Sequence, residues 1–160
     1  MTNISIKNLT FAYPGQAALF NNANFELDTS WRLGLLGRNG RGKTTLFKLL
    51  QNKLPYTGTL NVSVPLAYFP QPLGDQTKLA LYCLQETGNF LEWELKRELK
   101  LFKISEDLLW QPFNTLSGGE QTKLMLCALF CQADHFFLLD EPTNHLDLAG
   151  RKELVAYLKQ

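Results

Sequence analysis

The sequence predicts an α/β fold, and three features indicate it. Residues 32–36 form a short, continuous apolar segment, which is typical of a strand buried on both faces of a sheet. A glycine-rich turn follows, and residues 44–51 then carry apolar side chains at helical spacing. A second apolar segment, residues 135–139, follows another helical pattern. Buried strands that alternate with loops and helices are typical of α/β proteins.

The first part of the chain predicts an antiparallel β subdomain. Apolar residues alternate between positions 4 and 11, which indicates a strand, and a Tyr-Pro-Gly turn at 13–15 ends it. The alternation at 25–27 indicates a second strand. Residues 60–64 and 66–69 have the composition of two further strands.

Helical patterns dominate the rest of the chain. Residues 78–109 show a helical pattern, and two more helices are expected at 117–132 and 148–158. One apolar face is predicted within residues 78–109, formed by Leu91, Leu95, Leu99 and Phe102. Trp93 and Trp110 are expected to make core or subdomain contacts.

Composition excludes several classes of protein. The chain has 160 residues, enough for one domain, and 45% of them are hydrophobic. No apolar run approaches the roughly 20 residues of a membrane span. Residues 1–13 lack a charged segment followed by an apolar one, so we expect no secretory signal. The three cysteines lack the spacing of a disulfide framework, and the net charge of +1 carries no direct nucleic-acid signal. We therefore expect a cytoplasmic protein with reduced thiols.

A phosphate-binding loop follows the apolar segment at 32–36. The pattern G-x-x-x-x-G-K-[ST] runs from Gly37 to Thr44, between a predicted strand and a predicted helix. Its glycines let backbone N–H groups point at phosphate oxygens, and the helix N-terminus adds partial positive charge. Lys43 is expected to reach the β- and γ-phosphates of ATP, and the Thr44 hydroxyl to bind Mg²⁺. The ATP-binding loop comprises Gly37, Arg38, Asn39, Gly40, Arg41, Gly42, Lys43, Thr44 and Thr45.

Two acids end the apolar segment at 135–139. Asp140 at the strand tip is expected to hold Mg²⁺, and Glu141 to accept a proton from, or orient, the water that attacks the γ-phosphate. Two solvated acids at a strand end are the competing interpretation. The phosphate loop in the same chain favours the functional one.

Several motifs make the chain resemble ABC ATPases. Residues 116–121 read Leu-Ser-Gly-Gly-Glu-Gln, which resembles the ABC signature that contacts the ATP held by an opposite domain. The signature residues are Leu116, Ser117, Gly118, Gly119 and Glu120. Gln71 resembles the Q-loop glutamine, which senses Mg²⁺ and the attacking water. Tyr13 lies where the family has an aromatic side chain that stacks on adenine, although an aromatic residue after a strand is often only a packing residue. The resemblance implies a P-loop NTPase of ABC type.

The stretch from Glu141 to Asp147 indicates the subfamily. It reads Glu-Pro-Thr-Asn-His-Leu-Asp, and Asp147 belongs to the D-loop. Membrane ABC transporters usually have serine and alanine where Asn144 and His145 stand, whereas this form resembles ABC-F proteins, many of which act on the ribosome. Residues 38–42 and 146–151 look most like the first ABC domain of ABC-F proteins that protect ribosomes against lincosamides, streptogramins and pleuromutilins.

The resemblance also implies how the chain is organised. Residues 1–71 and 116–160 are expected to form the ATP-binding core, and residues 72–115 the helical subdomain. A strand with a switch histidine would follow the last helix, so we expect a C-terminally incomplete domain in a longer protein. Segments 33–36 and 136–139 would then flank a gap or accept a foreign strand. The expected partners are a second ABC domain, from the same parent chain or another copy, and the ribosome.

Two other functions compete with an ABC-F ATPase. One is the motor subunit of a membrane ABC transporter, and the other is a nucleotide-binding module without turnover. A metal site is a third alternative, because Cys127, Cys131 and His135 recur every four positions. Their apolar neighbours favour buried small residues instead.

Overall fold

The computed structural model describes residues 3–38 and 40–159. These residues divide into two compact units, the first within 1–66 and 134–140, the second within 67–133 and 141–160. Both units mix strands and helices along the chain, and the α/β class predicted from the sequence is confirmed.

The first unit contains a three-stranded antiparallel sheet in the order β2-β1-β3. Its strands are β1 (Asn3–Phe11), β2 (Phe20–Asp28) and β3 (Thr57–Val62). Ile4, Ile6 and Leu9 of the central strand are buried, because alternate side chains of a strand point to one face. The predicted antiparallel β subdomain is therefore confirmed.

A break in the register between β1 and β3 explains why position 58 is a glycine. The pairing shifts between Lys7 and Thr10, and Asn8 has a φ of 53°. Opposite the shift, Gly58 has a φ of 106°, and a Cβ there would lie 2.4 Å from the Asn8 carbonyl oxygen. Only glycine fits this close approach.

The first unit also contains α1 (Lys43–Leu50) and β5 (Phe136–Leu139), which agree with the predicted helix and strand. The Phe136 N–H at the start of β5 donates to the Pro65 carbonyl at 2.8 Å. A short strand, β4 (Leu66–Phe69), begins at the boundary between the two units.

The predicted buried strand at residues 32–36 is wrong. The segment is irregular, and no sheet among the described residues includes it. Leu33 and Leu35 are exposed, and Leu36 is 93% exposed. A buried strand needs neighbours for its N–H and C=O groups, and apolar composition alone does not supply them. The expected pair of strands flanking a gap is therefore not formed.

The second unit is mainly helical. Its helices are α2 (Ala80–Gln85), α3 (Glu92–Leu101), α4 (Gly118–Phe130) and α5 (Leu148–Leu158), with 3-10 turns at Glu106–Trp110 and Phe113–Thr115. Leu95, Leu99 and Phe102 are buried as predicted, and α3 contacts α4. No helix among the described residues has the length and apolar character to cross a membrane.

The predicted face is wrong at Leu91. For Trp93 and Trp110 the structure contradicts a place in the core and agrees with contacts inside the helical subdomain. Leu91 is 61% exposed, because it precedes α3 in extended conformation and does not continue the apolar face. Trp93 and Trp110 are 58% and 48% exposed, and cationic side chains lie near them instead of core residues. An indole ring beside a cation can remain at the surface, since the ring face attracts positive charge.

Candidate functional site

The phosphate loop has the backbone conformation that its glycines allow. Gly40 and Gly42 have φ angles of 78° and 92°, which other residues rarely adopt. Gly42 is the N-cap of α1, and no side chain of the described residues caps this helix end. The first N–H groups of α1 therefore point along the helix axis without a side-chain acceptor, which suits an anion. Asn39 belongs to the predicted loop but lies outside the described residues.

Lys43 lies over the loop. Its ammonium donates to the carbonyl oxygens of Gly37 at 2.8 Å and Arg38 at 3.4 Å. Lys43 is half-buried, whereas Arg38 and Arg41 are exposed. A cation is thus held where the glycine-rich backbone turns, and exchanging carbonyls for phosphate oxygens would keep its hydrogen bonds charge-assisted.

Thr44 and Asp140 lie 96 residues apart in the sequence but contact each other. The Thr44 hydroxyl donates to Asp140 Oδ2 at 2.6 Å. Because the proton of the hydroxyl is directed to the carboxylate, the lone pairs of Thr44 Oγ1 remain able to bind a cation. A hydroxyl oxygen and a carboxylate are the hard oxygen ligands that Mg²⁺ prefers, so the residues present fit this ion.

Thr45 and Tyr13 form a second contact beside the loop. Thr45 is buried, and its Oγ1 lies 3.1 Å from the Tyr13 hydroxyl. The Tyr13 ring is half-buried and packs edge-to-face on Phe11, with ring centroids 4.9 Å apart. Tyr13 is therefore anchored at both ends next to the phosphate loop. Its stacking on adenine stays a prediction.

The remaining predicted residues lie in the second unit. Gln71 is half-buried in the loop after β4, Glu141 is exposed, and Asp147 is the N-cap of α5. The Asp147 carboxylate accepts the Gly150 N–H at 2.7 Å, a capping bond typical of aspartate. Glu141 has a φ of 48°, so a left-handed turn follows the Asp140 strand.

The signature residues form the capped start of α4. Ser117 and Glu120 make a capping box, in which the Ser117 N–H donates to Glu120 Oε2 at 2.8 Å. The Ser117 hydroxyl donates to the same oxygen at 2.6 Å, and these two bonds lower the pKa of Glu120, the hydroxyl having the larger effect. Leu116 is buried, whereas Gly118 is exposed. The Ser117 hydroxyl has one proton and donates it to Glu120. To donate to a phosphate instead, it would have to give up this hydrogen bond.

Sequence reasoning missed three contacts. Asn144 Nδ2 donates to Glu141 Oε2 at 2.8 Å, and the Gln121 amide donates to the carbonyls of Phe113 and Leu116. The third is His145, which lies against the two signature glycines. Asn144 and His145 were visible in the sequence only as markers of a subfamily, and no pattern in their spacing indicates these partners.

The cysteines that recur with His135 are not paired with each other. Cys83, Cys127 and Cys131 are free, and Cys127 is fully buried. Burial, followed by the nearby Glu98 carboxylate, raises the pKa of the Cys131 thiol to about 12 and that of Cys127 well above its usual range. Thiols with raised pKa values stay protonated and behave as small apolar groups.

Comparisons with known proteins show which family this chain resembles. A family model described as ABC transporter matches residues 20–144. ABC transporter F family member 3 of Arabidopsis thaliana is 35% identical over 159 residues, which are 95% of this chain and 22% of that protein. Protein GCN20 of Saccharomyces cerevisiae is 32% identical over 170 residues, covering 98% of this chain and 22% of that protein. The expected resemblance to the ABC-F subfamily is thereby confirmed.

A solved structure shares the fold. An inward-facing metal-chelate type ABC transporter superposes with a TM-score of 0.76 at 26% identity, covering 98% of this chain and 66% of that one. The chain itself spans about a fifth of the length of the two relatives. Because the family model covers most of the chain, including the phosphate loop and both acids, the chain belongs to the ABC transporter family as an ATP-binding domain.

Proposed function

We propose that this domain binds MgATP and, in an intact two-domain protein, hydrolyses it to drive an action on the ribosome. The hydrogen bond between Thr44 and Asp140 is the observation that carries the MgATP site. It joins the two oxygen ligands expected for the ion, at the start of a helix whose first N–H groups suit phosphate. The bound Mg²⁺ would neutralise charge that develops on the phosphates.

The residues proposed to bind the nucleotide have distinct tasks. The Lys43 ammonium moves from the carbonyls of Gly37 and Arg38 to the β- and γ-phosphate oxygens. The loop N–H groups hold the phosphates, and Thr44 and Asp140 hold the ion. Tyr13 offers its ring to adenine.

Other residues are proposed to supply the chemical step and the contact with a partner domain. Glu141 accepts a proton from the attacking water, or orients it, and Gln71 helps to position that water and the ion. Ser117, Gly118 and Gly119 approach the nucleotide of a second ABC domain, since a helix N-terminus with two glycines allows close contact with phosphate. Asp147 lies in the D-loop of the same interface.

Replacing Glu141 by glutamine tests the chemical step. Glutamine keeps the shape of the side chain but cannot accept the proton. General-base help is worth about 10²–10⁴-fold, so Glu141→Gln should slow hydrolysis by that factor while ATP still binds. The measurement is single-turnover phosphate release by the intact protein, with fluorescent-nucleotide titration alongside. Hydrolysis at the parental rate would remove Glu141 from this role. If the parent protein itself binds ATP but releases no phosphate, it is a nucleotide-binding module without turnover.

The ribosomal part of the proposal is supported by the Asn-His form of the loop at 144–145 and by the ABC-F relative. The proposed action includes protection of the ribosome against antibiotics that bind it. Co-sedimentation of the intact Glu141→Gln protein with ribosomes, with and without MgATP, tests it. We expect ATP-dependent binding to ribosomes. Binding to membrane vesicles instead would favour a transporter motor subunit.

A further inference from the structure

The side chain of Asn144 reaches back to Glu141. Its Nδ2 atom donates to Glu141 Oε2 at 2.8 Å, and its backbone N–H donates to the Glu141 carbonyl at 3.1 Å. Glu141 is exposed and has three rotatable side-chain bonds, so without a partner its carboxylate would sample several rotamers. The amide of Asn144 holds one carboxylate oxygen and leaves Oε1 available.

The turn that carries Asn144 lies on the signature. His145 has a φ of 67°, and its carbonyl oxygen lies 3.1 Å from where a Cβ on Gly119 would stand. Atoms of the His145 side chain lie 3.5–3.7 Å from the equivalent position on Gly118. Leu146, next in the chain, is buried, and its carbonyl oxygen accepts a hydrogen bond from Arg151 Nε at 3.0 Å. These contacts restrain the turn from two sides.

We propose that Asn144 is a positioning residue for Glu141, held in place because its turn lies on the signature glycines of the same domain. The inference rests on the proposed role of Glu141 in hydrolysis. With Oε2 hydrogen-bonded to the amide, Oε1 faces the attacking water in one orientation, and less entropy is lost when the water is aligned. The residue that positions the base thus also borders the motif that contacts the partner's nucleotide.

The chemistry of the side chain at position 144 distinguishes positioning from a structural role. Asparagine and aspartate have nearly the same shape, and both are suited to turns. Aspartate, however, cannot donate to a carboxylate, and its charge repels Glu141. A serine hydroxyl can donate but is shorter. If the amide positions Glu141, rates should fall in the order Asn, Ser, Asp.

The experiment measures single-turnover and steady-state hydrolysis by the intact protein and its variants. Asn144→Asp should lower kcat at least about 10-fold with the KM for ATP nearly unchanged, a part of the ~10²–10⁴-fold of general-base help. Asn144→Ser should recover part of that loss. Asn52→Asp, which changes an exposed asparagine of positive φ outside the site, is the matched control. Thermal midpoints show whether each variant folds.

A double variant separates this inference from the proposed function. In the Glu141→Gln background, Asn144→Asp should cause no further loss, since residues that act together are not additive. Parental hydrolysis by Glu141→Gln would overturn the proposed function and the inference together. Loss in Glu141→Gln with full activity in folded Asn144→Asp would overturn the inference alone. A raised KM with unchanged kcat would equally contradict positioning.

Discussion

Lys43, Thr44 and Asp140 carry the side-chain contacts of the proposed phosphate site. The Lys43 ammonium donates to two loop carbonyls, and the Thr44 hydroxyl donates to Asp140. Phosphate oxygens can replace the carbonyl partners of Lys43, and Mg²⁺ can bind Thr44 and Asp140 where they already meet. The side chains are therefore held near their binding positions, so binding requires little rearrangement of them. At the residue scale, this predicts that Lys43 dominates affinity for the nucleotide.

Lys43→Ala should weaken MgATP binding about 10- to 100-fold. Hydrogen bonds to charged groups contribute about 1.5–3 kcal/mol, and each 1.4 kcal/mol is a tenfold change in affinity. Lys48, in the last turn of α1 and exposed, provides the control Lys48→Ala. Fluorescent-nucleotide titration measures both variants. An unchanged dissociation constant for Lys43→Ala would contradict the phosphate-loop assignment.

At the scale of the element, the capping box at the start of α4 is expected to contribute to the stability of the helix. Ser117 accepts the Glu120 N–H at 3.3 Å, while the Glu120 carboxylate accepts from Ser117. Replacing an N-cap serine by alanine costs about 1 kcal/mol, so Ser117→Ala should lower the free energy of unfolding by that amount at pH 7. Ser117→Thr, which keeps the hydroxyl, should lose little. Urea unfolding followed by circular dichroism measures the difference, and equal stability of all three proteins would refute the cap.

The same box predicts a dependence on pH. The Glu120 pKa is lowered in the folded state, so its stabilising effect is present above the ordinary value of about 4.5 and is lost as the pH falls through the folded value. The stability difference between the parent and Ser117→Ala should therefore shrink between pH 7 and pH 3. A difference that stays constant over this range would contradict the link between the two side chains.

The helices α3, α4 and α5 share an aromatic and polar contact. The Tyr157 ring packs on Phe130 and Phe102 with centroids 4.6 and 4.7 Å away, and its hydroxyl donates to Glu98 Oε2 at 2.6 Å. Glu98 is buried, and the Arg97 guanidinium holds its other oxygen at 2.9 Å. Burial and the Glu98 carboxylate raise the pKa of Tyr157 well above its usual range.

Tyr157→Phe should destabilise the domain by about 1–3 kcal/mol, because it removes one donor from a buried carboxylate. A raised folded pKa contributes stability below the ordinary tyrosine value near 10, and this is lost at higher pH. The deficit of the variant should therefore be full at pH 7 and diminish above pH 10. Tyr82→Phe, at an exposed position, is the control. Chemical unfolding at both pH values tests this, and an intact Tyr157→Phe stability would contradict it.

At the scale of the whole molecule, MgATP binding should raise the stability of the folded domain. A ligand that binds only the folded state stabilises it by about 2.7 kcal/mol at 100 times its dissociation constant. For a domain of this size, about 2–4 °C accompanies each kcal/mol, so saturating MgATP should raise the thermal midpoint by about 5–10 °C. The rise should be smaller with EDTA, and in Lys43→Ala it should fall to about half or less, as the 10- to 100-fold loss of affinity requires. Equal midpoints with and without MgATP would contradict ATP binding by this chain.

The sequence alone predicted what local conformation controls. The phosphate loop was predictable because glycines at 40 and 42 allow positive φ angles that the pattern requires, and α5 was predicted with its observed limits. The β subdomain was predictable from the alternation at 4–11 and 25–27, which lie within the observed strands β1 and β2. In each case neighbouring residues determine the backbone, and burial follows from the periodicity.

Only the tertiary structure decided which distant groups meet. Apolar composition indicated a strand at 32–36, yet a strand forms only where another strand pairs with its N–H and C=O groups. The exposed positions of Trp93 and Trp110 likewise depend on what packs beside them. The contacts of Thr44 with Asp140 and of His145 with the signature glycines join segments that are far apart in the chain. Such contacts depend on the path of the whole backbone, which short-range spacing does not encode.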